Sequence, residues 1–212
     1  MDKCAVVSII YREIDWASTE KCLLDYCSPY PVFYVDRRGV GSLAKALNAG
    51  FKQWANGAKY IWFVTNVLFS PDCLCNLIDE MDKTGYAAIT PAFQSDHLFC
   101  RPVKDCKETK EVPFVEFTAP IVRADVFREF PLDEEMPYWG HDLDWGYRVR
   151  AAGHKIGVYH GEQLKHIYIR NNANNNRITQ RRYELRGKTN AGTKYALTRK
   201  YGPSWKKILQ WA

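Results

Sequence analysis

Between Trp139 and Gly153 the sequence reads Trp-Gly-His-Asp-Leu-Asp-Trp-Gly-Tyr-Arg-Val-Arg-Ala-Ala-Gly, which sets Asp142 and Asp144 beside His141 where a glycine-bearing loop enters a helix. Free amides at a helix start favour the ionised carboxylate, so Asp142 is expected to be charged near neutral pH and able to take a proton as a general base. The same spacing also fits a helix cap followed by an Asp–Arg surface pair, because acids are common in first helical turns.

A second signal is charge. From Lys165 to Ala212 there are twelve Lys or Arg and one acid, Glu184, whereas the rest of the chain is close to balanced. A basic end of this kind suggests a polyanionic partner such as nucleic acid, an anionic membrane surface or a phosphorylated ligand. Aromatic residues are interleaved with it at Arg181-Arg182-Tyr183, Tyr195, Arg199-Lys200-Tyr201 and Trp205-Lys206-Lys207, where rings could stack on bases while cations pair phosphates.

The elements that must carry these residues follow from composition and periodicity. A chain of 212 residues with 46% hydrophobic and 25% charged content is one globular domain, and no apolar run is long enough for a membrane span. The apolar run from Cys4 to Ile10 is too short for a signal-peptide core. Seven cysteines, an odd number without paired C-x-x-C spacing, read as reduced thiols of a cytoplasmic protein, peripheral at most to a membrane or nucleic acid. Strands are predicted at Cys4–Tyr11, Pro31–Val35, Tyr60–Val64 and Tyr86–Thr90, with helices at Trp16–Tyr26 and Ser42–Trp54 between the first three. A third helix opens at Pro71-Asp72, shows Leu74, Leu77, Ile78 and Met81 on one face, and ends at Gly85. This alternation implies an α/β domain, its mostly parallel central sheet covered by helices on both faces.

Regularity stops at Pro91, and 92–117 reads as an irregular, charged stretch suited to binding an acceptor. Helices are predicted again at Arg123–Phe130 and His141–Ala152, then two short strands at His154–Tyr159 and Gln163–Ile169. Asn171–Asn176 holds five asparagines around one alanine and reads as a mobile loop before a last helix at Tyr183–Tyr201.

Taken in order, Val35-Asp36 followed by Gly39 to Gly50, Pro113-Phe114-Val115-Glu116 running into Ile121–Phe127, Pro131-Leu132-Asp133-Glu134-Glu135 and the Asp142 segment resemble glycosyltransferase family 2, with its GT-A fold, the nucleotide-diphospho-sugar transferase fold. The similarity covers most of residues 4–169. Its strongest element is His141 to Gly153. Asn190 to Gly202 is similar to the closing helix of bacterial members. The resemblance implies a catalytic domain over 1–169, with 170–212 forming an Asn-rich loop and a basic helix and tail packed on it.

It also implies an inverting transfer of a sugar from a nucleoside-diphosphate sugar to an acceptor hydroxyl. Asp142 matches the position of the catalytic base, with Trp139, His141 and Asp144 on the acceptor side. Asp36 matches the acid that holds the base or ribose of the donor, although it also fits a turn before Arg37-Arg38-Gly39. Donor contacts are then expected from Asp36, Arg38, Lys45, Asn66, His166, Arg170 and Arg177, with Arg181 a further cation for the diphosphate.

The family's metal-binding Asp-x-Asp falls here at Thr65-Asn66-Val67, where no acid is present, and the acid before the catalytic position is His141. Asn66 and His166 are the expected ligands of a weak or absent Mn²⁺ or Mg²⁺ site. Acceptors consistent with the sequence are a saccharide, a lipid-linked glycan or a hydroxylated base in DNA, which would have to be flipped out of a duplex. The basic stretch 177–211 would contact an anionic surface. The runner-up from another class is a catalytically degenerate GT-A domain that binds a polyanion. A nucleotidyltransferase is disfavoured by the lack of a Gly-rich, Lys-bearing phosphate loop near residue 12.

Overall fold

The computed structural model describes residues 3–10, 13–37, 42–136, 139–167 and 191–209. Strands β1 (Cys4–Ile10), β2 (Val32–Asp36), β3 (Tyr60–Val64), β4 (Val67–Leu68), β5 (Ala88–Phe93), β6 (Thr109–Glu111), β7 (Ile121–Arg123) and β8 (Ile156–His166) form one sheet. Its order is β2-β1-β3-β7-β5-β8-β4, with β6 also paired to β8. The pairs β1/β2, β1/β3 and β5/β8 are parallel, and β7 runs antiparallel between β3 and β5, so β1, β2, β3, β5 and β8 all point the same way. Their C-terminal ends therefore share one edge, where α/β sheets place ligands.

Helices α1 (Glu13–Tyr26), α2 (Leu43–Trp54), α3 (Cys73–Thr84), α4 (Ala124–Glu129) and α5 (His141–Ala151) pack around the sheet, followed by α6 (191–201) and α7 (Trp205–Leu209). β3 and β5 are buried along their whole length and β1 up to its last residue, as expected of strands covered on both faces. The predicted face of α3 is inward, with Leu74, Leu77, Ile78 and Met81 all buried. A smaller apolar cluster of Phe114, Met136, Leu143, Leu197, Trp205 and Leu209 joins α6 and α7 to the start of α5. No helix among the described residues is long and apolar enough to cross a membrane.

Several sequence expectations are corrected. The last two predicted strands are one strand, β8, whose pairing with β5 steps from Pro91↔Tyr159 to Ala92↔Gln163. Proline has no N–H for the ladder, so a bulge at this point lets β5 continue to Phe93 instead of ending at Thr90. The stretch 92–117 is not wholly irregular, because a 3-10 turn at Leu98–Cys100 and the short β6 lie in it. β4 and β7, of two and three residues, were not predicted; they are too short to show alternation and exist through their partners β8, β3 and β5. The Asn-rich loop falls outside the described residues, as does the first part of the predicted last helix.

Candidate functional site

Asp142 lies in the first turn of α5, at the C-terminal edge of the sheet. The turn depends on Gly140, which adopts φ 84°, and a Cβ there would come within 2.7 Å of Thr193 Cγ2 in α6. No other residue meets both demands cheaply. Asp142 is half-buried. Its Oδ1 accepts hydrogen bonds from the Gly140 N–H at 3.0 Å and the Leu143 N–H at 2.9 Å. Oδ2 has no partner among the described residues, so the carboxylate is held by one oxygen and can receive a proton on the other.

His141 is buried, its Nδ1 facing the Met136 carbonyl at 3.2 Å, a contact that requires the proton on that nitrogen. Burial lowers its pKa, opposed by Asp142 and the Met136 carbonyl and assisted by the charge of Arg37. The neutral ring thus packs near Phe117, at 6.0 Å between centroids. Trp139 is partly exposed and its ring lies 6.2 Å from that of Trp205. Asp144 corrects an expectation: it is wholly buried, and its oxygens are taken by Arg148 Nε at 2.8 Å, Lys200 Nζ at 2.6 Å and the Tyr201 hydroxyl at 2.5 Å. A carboxylate so engaged joins α5 to α6 and offers no oxygen to an acceptor.

Of the residues expected to contact a donor, Asp36 is exposed at the C-terminal end of β2, register partner of Ile10. The next residue, Arg37, was not singled out from the sequence; it is buried, with its N–H on the Ile10 carbonyl at 2.9 Å. Lys45 is exposed in the first turn of α2, its backbone N–H capped by Ser42 Oγ at 3.2 Å. Arg38, Arg170, Arg177 and Arg181 lie outside the described residues.

Asn66 and His166, distant in sequence, are brought together. β4 pairs with the end of β8 as Val67↔His166, and the Asn66 carbonyl accepts the Ile167 N–H at 2.9 Å. The side-chain Oδ1 of Asn66 is buried and accepts no hydrogen bond among the described residues. An amide oxygen and an imidazole are two neutral donors, whereas Mg²⁺ and Mn²⁺ sites rely on carboxylates. Among the described residues no group of three or more His, Cys, Asp or Glu could hold a metal ion. These residues do not fit a carboxylate-type divalent site.

One residue near Asp142 was missed as a candidate. Glu116 follows β6 on a segment pressed against α5 at Gly146, where a Cβ would meet the Pro113 carbonyl oxygen and Phe114 Cβ, each at 2.7 Å. Its Oε1 accepts the Ser95 hydroxyl hydrogen. Burial pushes the Glu116 carboxyl up and Asp142 adds to the shift, while the Ser95 bond opposes it. The available signal was the stretch Pro113-Phe114-Val115-Glu116 itself, but nothing local in it points towards α5. A cavity of about 340 Å³ lined by Lys59, Tyr60, Asp82, Arg123 and Asp125 opens instead at the N-terminal end of β3. Of its charged residues Lys59 pairs with Asp82 and Arg123 with Asp125, while Arg128 lies over the Phe51 ring.

No protein-family model matches the chain, and no curated protein matches it. Solved structures do. GalNAc-T7, solved with UDP, GalNAc and Mn²⁺, superposes with a TM-score of 0.62 at 12% identity over 79% of this chain and 44% of that one. S. aureus TarS 1-349 gives 0.51 at 14% identity over 76% of this chain and 60% of that one. A197 from STIV gives 0.53 at 11% identity over 79% of this chain and 86% of that one. The chain thus spans about half the length of the first two. These likenesses show a GT-A glycosyltransferase-type fold.

Proposed function

We propose that this chain is an inverting glycosyltransferase that moves a sugar from a nucleoside-diphosphate sugar to an acceptor hydroxyl, with Asp142 as the base. The observation that carries the reading is Asp142 itself, fixed through Oδ1 by two backbone amides and open at Oδ2, at the ligand-binding edge of a GT-A-type sheet. The acceptor oxygen attacks the anomeric carbon, its proton passes to Asp142 Oδ2, and the bond to the diphosphate breaks with the electron pair leaving on phosphate. A general base so placed contributes roughly 10²–10⁴-fold.

The donor is held on the side of Asp36, Arg38, Lys45, Asn66 and His166, with Arg170 and Arg177 meeting the diphosphate. UDP, present in the GalNAc-T7 and TarS structures, is the first nucleotide to try. Asn66 and His166 supply no carboxylate to hold a divalent ion, so neutralisation of the leaving group falls to cations of the chain. Trp139 flanks the acceptor side.

The polyanion-binding alternative is weakened by three ion pairs that engage two of the basic residues, since Arg199 meets Glu135 and Lys200 meets Asp133 as well as Asp144. Lys206 and Lys207 remain exposed on α7 for contact with an anionic surface. The test is mass-spectrometric screening of UDP-, GDP-, CDP- and dTDP-sugars for binding and hydrolysis, with and without Mn²⁺. Binding of none of them would sink the reading.

A further inference from the structure

Glu116 is a carboxylate kept in a position that stability alone does not favour. It is partly buried, makes no ion pair among the described residues, and sits between Phe114, whose segment presses on α5 at Gly146, and Phe117, whose ring lies 6.0 Å from that of His141 next to Asp142, so the two carboxylates oppose each other. Burying a carboxylate beside another without a cation costs free energy, and such arrangements concentrate where carboxylates handle a substrate. Replacing Glu116 by an uncharged isostere would remove that cost, so its retention asks for a role.

Its surroundings are ordered. Ser95 Oγ, which donates to Glu116, accepts the His97 N–H at 3.0 Å, and the Ser95 carbonyl accepts from Arg101 Nε at 2.8 Å. The His97 ring meets Phe114 edge-on at 4.8 Å and stacks on Phe99 at 5.5 Å, while Phe99 and Phe114 lie 5.1 Å apart. Leu98, at the rim of this aromatic wall, is 75% exposed. Carboxylates beside apolar ring faces suit a molecule that presents hydroxyls on one side and C–H groups on the other.

Charge selects further. Asp96 adds to the negative potential at Glu116. On the far side of α5, Lys200 and Arg199 spend their charges on Asp133, Asp144 and Glu135. A phosphate-bearing acceptor would meet Asp142, Glu116 and Asp96, while Arg101, the cation of this segment, is held by the Ser95 carbonyl.

Resting on the glycosyltransferase reading, we infer that Glu116 is the positioning carboxylate of the Asp142 site and that the hydroxyl it helps present belongs to a neutral, polyhydroxylated acceptor. Glu116 holds a hydroxyl next to the attacking one, so that the attacking oxygen faces Asp142 Oδ2. The groups facing the pair are Ser95, Asp96, His97 and Cys100 from the segment after β5, with His141 and Arg37 behind Asp142.

The test follows donor consumption by wild type, Glu116→Gln and Glu116→Asp from about pH 5 to about pH 8, the range in which carboxylate and histidine bases titrate. The acceptors are water alone, a panel of methyl pyranosides, or a single-stranded oligonucleotide bearing hydroxymethylated bases. Pyranosides are expected to speed consumption by wild type and the oligonucleotide is not. Glu116→Gln should keep donor Kd within about twofold and lose at least ~10-fold in acceptor-dependent turnover, with the acid limb of its profile moved to lower pH because burial raises the Glu116 carboxyl and the variant no longer titrates it. Glu116→Asp should recover part of the loss. If no pyranoside speeds donor consumption by wild type, the neutral, polyhydroxylated acceptor is overturned.

The inference is overturned if the oligonucleotide is the better acceptor, if Glu116→Gln matches wild type in turnover and pH profile with every acceptor, or if it loses donor binding. Wild type that binds no nucleotide sugar defeats the glycosyltransferase reading and this one with it. Normal donor binding with unchanged acceptor kinetics removes Glu116 alone.

Discussion

Tyr201, the last residue of α6, donates its phenolic hydrogen to Asp144 Oδ1 in α5 across 2.5 Å. With Lys200 and Arg148 on the same carboxylate, this bond fixes α6 against the helix that carries Asp142. The join is buried and charged, and its weight lies in the cost of breaking it.

Tyr201→Phe leaves one acceptor of a buried carboxylate without its hydroxyl partner and should lower stability by roughly 1–2 kcal/mol, while Asp144→Ala removes a shared partner of Tyr201, Lys200 and Arg148, leaving Lys200 to Asp133 and Arg148 to the Pro131 carbonyl, and should cost about 2–3 kcal/mol. Denaturant unfolding with an unchanged m-value would measure both. A loss within error for Asp144→Ala would show that the join is not built as described.

Asp142→Asn keeps an acceptor for the Gly140 and Leu143 amides, so the helix start should hold and donor binding persist. Turnover should fall by at least ~10²-fold, the lower range for a positioned base. Full activity in single-turnover assays of the variant would remove Asp142 from the chemistry.

Divalent metal should matter little, because Asn66 and His166 supply no carboxylate. Turnover in EDTA is expected to stay within a few-fold of that in Mn²⁺, on the physical ground that neutral donors hold hard cations weakly. Complete loss in EDTA, restored by Mn²⁺, would show that other residues of the chain build the site.

Acid should destabilise the fold through its buried histidines. Burial lowers the pKa of both His141 and His160, and neither ring nitrogen of His160 has a hydrogen-bond partner among the described residues. The unfolded chain then binds protons that the folded one resists, so stability is level above the free-histidine value of about 6.5 and falls as pH drops below it towards the lowered folded values. Thermal melts across that window should show the decline, and His160→Phe should flatten it. A melting temperature that rises on acidification from pH 7 to pH 5.5, conditions bracketing that value, would contradict this account.

Much of the scaffold is legible locally. The inward face of α3, its stop at Gly85 and the alternation of buried strands with helices follow from periods and turn residues that neighbours within a few positions dictate. Asp142 belongs to this class, because a carboxylate in the first turn after a glycine meets free amides wherever that helix is placed. Asp144, two residues on, does not: its place in the first turn is local, but its burial under Lys200 and Tyr201 depends on where α6 docks. The short strands β4, β6 and β7 have too few residues to carry a period and are held by partners far away in the chain.

The same holds for the two juxtapositions that matter most to the site. Asn66 meets the end of β8 only because β4 pairs there, and Glu116 reaches the side of Asp142 only because Gly146 lets its segment lie against α5. Residue type and local spacing were enough to place one carboxylate, Asp142, at a helix start. The groups that surround it were chosen by packing, since contact between distant segments is set by which surfaces exclude water together and leaves no mark on either segment alone.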